Sequence, residues 1–178
     1  MTKSATRETA DIAGVVGRKN AIINGNFDIW QRGTSQTADG YGSDDRWING
    51  RGGSTQVVSR QAFTLGQTDV PNNPKYYSRT VVSSVAGAGN LAVKFQRIEG
   101  VETFAGTTAT VSFWAKADAN KNIALELYQY FGTGGSPSAV VLVSPTTVSL
   151  TTSWVKHTVS VALPSIANKV LGTDGNDY

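Results

Sequence analysis

The chain has no cysteine, one histidine and one methionine in 178 residues. Without thiols there can be no disulfide, thiolate nucleophile or cysteine-based zinc site, and a single imidazole excludes any centre that needs two. No apolar run approaches the roughly 18 residues of a membrane span, so membrane insertion is not expected. The opening stretch, MTKSATRETADIAGVVGRKN, lacks the apolar core of a secretory leader. Charge of one sign is also scarce. Sixteen basic and 13 acidic residues leave a net +3 scattered along the chain, and no basic patch points to nucleic acid.

What is plentiful is glycine, at 19 residues, and Ser plus Thr, at about one residue in five. This is a turn-rich, β-prone composition. The length fits one domain with an arm. Residues 1–17 mix Lys3, Arg7, Glu8 and Asp11 with a weak apolar group, Ile12, Val15 and Val16. Such a segment is too short to fold alone and reads as an N-terminal arm that needs a partner surface. Residues 18–178 are then the folded domain.

Within that domain, 21–49 reads as strand, loop and short strand. Seven alternating segments follow, near 55–63, 76–85, 90–98, 109–117, 123–131, 139–150 and 154–163, separated by Gly, Pro, Asn and Asp. Period-two alternation without a helical stripe predicts an all-β, antiparallel β-sandwich, with jelly-roll topology the favoured version.

Alternation also assigns faces. It sends Val111, Phe113 and Ala115 inward and leaves Thr110, Ser112, Trp114 and Lys116 outward. In the next strand Ile123, Leu125 and Leu127 point in, and Glu126, Tyr128 and Tyr130 point out. In 90–98, Leu91, Val93 and Phe95 point in, and Lys94 and Gln96 out. In 154–163 the valines and Leu163 go in, with His157 among them, while Trp154 and Lys156 go out. If these strands share a sheet, its outer face collects Trp114, Tyr128, Tyr130 and Trp154 among Lys116, Glu126 and Gln96. A sugar ring stacks its C–H face on an aromatic ring and offers hydroxyls to carboxylate, amide and lysine, so this is a glycan-binding kind of surface. The alternative is a second small core of aromatics beneath a covering loop, a reading that fits Trp154 best. The GTGGSPS loop after Tyr130 reads as a flexible hairpin loop, where binding residues often sit.

The segment NAIINGNFDIWQRG at 20–33, then DRW at 45–47, SFWAKAD at 112–118 and LTTSWVKHTVSVALP at 150–164, give the chain a recognisable signature. It resembles the carbohydrate-binding-module-like β-sandwich domains of tail fibres and related receptor-binding or surface-fibre proteins of tailed bacteriophages, over about residues 14–178. The resemblance implies a jelly roll of galactose-binding-like type, a virion location, contact with host surface polysaccharide and trimeric assembly. The family pattern continues past a GTDGNDY-like turn into further strands, whereas this sequence stops at Tyr178. Either the sequence is partial, or another subunit completes the edge by strand addition.

The shared motif also has a reading from its own residues. Asn24, Gly25 and Asn26 predict a tight turn at the first strand, with Gly supplying positive φ. Phe27, Ile29 and Trp30 read as packing, and Arg32 with Asp45 as a structural ion pair holding the first loop. Trp47 reads as packed, with Arg46 placed to stack on it.

Catalysis is not expected. His157 alternates with Val155 and Val159 and has no Ser–Asp constellation around it, and the acidic residues Glu99, Glu102, Asp118 and Glu126 give no paired-carboxylate signature. No cofactor is implied. A structural calcium on Asp39, Asp44 and Asp45 stands beside the simpler reading that these aspartates cap turns. Two functions remain. One is a non-enzymatic fibre module that binds host glycan; the other is a decoration or fibre-attachment protein, docked on other virion proteins through residues 1–17, with no glycan binding of its own.

Overall fold

β-branched and aromatic residues alternating with small polar ones build ten strands, and no helix, among residues 20–178, which are those the computed structural model describes. The expected arm at 1–17 lies outside the described residues. Strands β1 (Ser35–Gln36), β2 (Gly40–Tyr41) and β3 (Ile48–Gly52) are short. The others are β4 (Thr55–Ala62), β5 (Tyr76–Ser83), β6 (Leu91–Phe95), β7 (Thr108–Ala115), β8 (Lys121–Gln129), β9 (Val141–Leu150) and β10 (Val155–Ala162), all of at least eight residues except β6. These seven coincide with the seven alternating segments of the sequence. The sheets have orders β1-β4-β5, β2-β3-β6, β10-β7 and β8-β9, with antiparallel registers. The chain is therefore all-β and antiparallel.

It gathers into two compact units. One holds the described residues up to Arg60 together with Ser78–Gln96, and the other holds Gln61–Tyr77 with Arg97–Tyr178. The first buries Trp30, Ile48 and Val58; the second buries Val70, Val101, Phe131, Val143, Val148, Leu150 and Val161. In the second unit the β8–β9 ladder slips between Leu125 and Leu127. The slip falls where Ser144-Pro145 interrupts β9: Ser144 has φ of 37° and proline offers no N–H to the ladder.

Three expectations need correction. Residues 21–33 form no strand: their backbone groups bond side chains, one turn and the loop at Asp45 instead of a strand ladder. Phe27 N–H donates to Asn24 O at 3.1 Å, and the positive φ values fall at Asn24 (53°) and Phe27 (54°), not at Gly25. Second, β7 and β8 belong to different sheets, so the single outer face expected to unite Trp114 with Tyr128 and Tyr130 does not form. Third, the faces of β6 are reversed. Leu91, Val93 and Phe95 are exposed, while Lys94 and Gln96 are drawn inward by polar partners described below.

Candidate functional site

The β7–β10 ribbon carries the clearest aromatic and polar face. Its eight-residue register sets Trp114 opposite Lys156, Ser112 opposite Thr158 and Thr110 opposite Ser160, and directly opposed residues share a face. The two hydroxyls of Thr110 and Ser160 lie 2.9 Å apart. One step beyond the ladder, Lys116 Nζ sits 5.3 Å from the Trp154 ring centroid. Trp114 and Trp154 are half-buried, and Lys116, Lys156 and the hydroxyl residues are exposed. The other face of the ribbon is apolar, with Val111 opposite Val159 and Phe113 opposite His157, their rings 5.5 Å apart.

Trp154 is packed on one side and borders open surface on the other. Its ring packs on Phe63 (5.2 Å) and edge-on to Tyr77 (5.1 Å), a small aromatic core. It also lines a shallow depression of about 260 Å³ with Asp69, Lys116, Thr152 and Ser153. One aromatic edge, one carboxylate, one ammonium and two hydroxyls make up that lining. Asp69 carried no signal in the sequence, since it reaches the site from a distant loop. Thr152 and Ser153 were readable only as the turn before Trp154.

On β8, Tyr128 is exposed and its hydroxyl donates to Glu126 Oε2 at 2.8 Å. Accepting that bond, the Glu126 carboxylate holds the phenol above its ordinary range, and slight desolvation adds to the shift. Tyr130 is not free on an outer face. It exchanges two backbone hydrogen bonds with Tyr178, at 2.8 and 3.0 Å, and their rings stack at 4.7 Å, with Arg97 over Tyr178.

The GTGGSPS loop is likewise held. Thr133 Oγ1 donates to Asp174 Oδ2 at 2.7 Å, Asn176 Oδ1 accepts from Thr133 N–H at 2.9 Å, and Gly172 N–H donates to Phe131 O at 2.7 Å. A Cβ on Gly172 would lie 2.3 Å from Thr133 O, so two glycine-bearing turns close on each other where no side chain fits.

Gln96 is committed elsewhere: both ends of its amide bond the backbone of Ile23, at 2.8 Å each. That clamp belongs to the N-terminal motif, of which Asn24 is the hub. Asn24 Nδ2 donates to Ile29 O and Asp45 O, and its Oδ1 accepts from Ile29 N–H, all at 3.0 Å. Trp47 Nε1 donates to Asn24 O at 3.2 Å, and the Trp47 ring lies 5.3 Å from Phe27. Trp30 is buried and donates its indole N–H to Phe27 O. The Arg32–Asp45 pair forms at 3.9 Å, and Asp45 Oδ2 also accepts from Gln31 N–H. Arg46 is exposed at φ 72°, and Phe27 takes the packing position against Trp47. Replacing Asn24 by Ala removes three hydrogen bonds and should cost about 2 kcal/mol in urea unfolding. Asn24→Gly, which tolerates the backbone angle, should lose nearly as much if the side-chain bonds dominate.

Beneath this motif lies a buried polar cluster. Asp44, fully buried, accepts from Asn49 Nδ2 at 2.7 Å on Oδ1, and from Ser78 Oγ at 3.3 Å and Lys94 Nζ on Oδ2. Lys94 Nζ also donates to Asn49 Oδ1 at 2.6 Å and lies 5.7 Å from the Phe27 ring centroid. Burial pushes the Lys94 ammonium below its ordinary range, with Asp44 opposing that shift. The aspartates considered for calcium thus each face other partners: Asp44 this cluster, Asp45 Arg32 and Gln31, and Asp39 Arg51 at 3.6 Å. Among the described residues, no three His, Cys, Asp or Glu side chains come together as a metal-holding group.

Comparison of the chain with family models, with curated proteins and with solved structures found no match.

Proposed function

We propose that this chain is a non-enzymatic bacteriophage virion protein, a tail-fibre or surface-fibre module of jelly-roll β-sandwich type that holds host surface glycan. The observation that carries the reading is the β7–β10 face, where Trp114, Lys156, Lys116 and Trp154 alternate beside a row of hydroxyls and the Asp69-lined depression. Half-buried indoles are pre-oriented, so a sugar ring can stack on them without further ordering of the protein, and flanking ammonium and hydroxyl groups match sugar oxygens. The resemblance of the N-terminal motif to fibre domains supports the virion assignment. Weak binding per site is then multiplied by trimeric display.

The test is binding of the purified chain to panels of bacterial lipopolysaccharide and capsular polysaccharide. Trp114→Ala should weaken binding at least about tenfold, which corresponds to the loss of one stacked ring. Its melting temperature should stay within a few degrees of the parent. Absence of binding across the panel, together with presence of the chain in purified particles, would favour the decoration or attachment role. That second reading draws on the charged, weakly apolar sequence of residues 1–17, and in it deletion of those residues releases the chain from the particle.

A further inference from the structure

The buried cluster under the N-terminal motif has the parts of a self-acylating site. We propose that Lys94 and Asn49 become joined by an intramolecular amide bond, formed by the folded chain itself with Asp44 as the proton relay. Asn49 and Lys94 are directly opposed on β3 and β6, which places the amine against the carboxamide by backbone register alone. Lys94 Nζ is 2.6 Å from Asn49 Oδ1, and the Asp44 carboxylate touches both partners, Oδ2 the amine and Oδ1 the Asn49 Nδ2 at 2.7 Å. Asp44 and Asn49 are fully buried, so water cannot compete as a nucleophile, and the Phe27 ring lies beside the amine. A lowered Lys94 pKa adds to this, because only the neutral amine attacks.

The step balances without any further reagent. The Lys94 ammonium passes one proton to Asp44 Oδ2, leaving a neutral amine and a carboxylic acid. The nitrogen lone pair attacks Asn49 Cγ, the new C–N bond forms, and the carbonyl π pair moves to Oδ1. As the tetrahedral centre collapses, the C–Nδ2 bond breaks. The leaving nitrogen takes the acid proton from Asp44 and departs as ammonia, while a second proton from Nζ returns to Asp44. The products are one amide, one ammonia and a protonated Asp44; no oxidation or reduction occurs. The alternative acyl partner, Asp44 itself, leaves no acid in the cluster to relay protons, which is why Asn49 is chosen.

The test is intact-mass measurement on the purified full chain, followed by peptide mapping. The expected mass is one ammonia below that of the sequence, with a branched peptide linking the Asn49 and Lys94 segments and no tryptic cleavage after Lys94. Lys94→Arg keeps a cation beside Asp44 but cannot form the amide. It should show the full sequence mass and melt roughly 8–16 °C lower, the effect expected of losing a cross-link across a loop of this length. Asp44→Asn should fold and form the bond slowly or not at all. A parent mass equal to the sequence overturns the proposal. So does loss of water mapped to Asp44, or loss of ammonia confined to a linear peptide at Asn49-Gly50, the product of succinimide closure.

Discussion

Asp44→Ala is expected to destabilise the chain by about 3–5 kcal/mol beyond the loss of any cross-link, because it leaves the Lys94 cation and the Asn49 amide buried without their acceptor. That is a large share of the roughly 5–15 kcal/mol that holds a typical domain together. The size follows from the asymmetry of buried ion pairs. Bringing both charges out of water costs much of what their attraction returns, but removing one partner leaves the whole desolvation cost of the other uncompensated. Urea unfolding should show the midpoint falling with little change of slope. Running Asp44→Ala in a Lys94→Arg background, where no amide can form, isolates the electrostatic part. A loss below about 1 kcal/mol there would mean that water reaches the cluster, since exposed pairs are worth no more than that.

Phe131→Ala is expected to cost about 3–5 kcal/mol in the second unit. Phe131 is 1 % exposed, among the described residues the largest side chain so completely enclosed. Its loss removes apolar transfer energy and leaves a cavity that β8 and the adjoining glycine turns cannot collapse to fill. The backbone oxygen of the same residue accepts from Gly172, and Lys169 Nζ lies 5.6 Å from the ring, so the damage should extend into the 170–178 segment. Phe131→Leu, which keeps most of the volume, should recover more than half of the loss. Thermal unfolding of the two variants side by side checks the claim, and equal losses for both would show that the cavity term is not what matters.

The strands were legible because period two is a local signal: a residue and its neighbour two along share a face whatever the partner strand. All seven strands from β4 to β10 could be placed in this way, to within a few residues at either end. Sheet membership was not legible. Whether β7 pairs with β8 or with β10 depends on contacts 50 residues apart, as between Thr110 and Ser160, and alternation is blind to them. Face polarity failed at Ile123 and Val155, which were expected inward and are exposed, and along the whole of β6, where the reason is chemical. The rule that apolar side chains point inward assumes that burial of hydrocarbon decides, but in β6 a buried carboxylate decides, drawing Lys94 in and turning Val93 out. The structural motif was readable as a unit because its parts are close in sequence: Arg32 with Asp45 follows from charge and loop length. The pairing of Tyr130 with Tyr178 was not legible, because the two residues are remote in sequence.

The pairing of Tyr178 with Tyr130, and of Asp177 with Gly100 and Val101, also has a mechanical side. A pull applied at residue 178 meets no slack in residues 177–178. It enters at once through several parallel hydrogen bonds, through the end of β8 and through the 100–101 turn, and is shared between them. Bonds loaded together yield at higher force than bonds opened one after another, so residues 177–178 resist being drawn off the second unit more than the same bonds would if they opened in sequence.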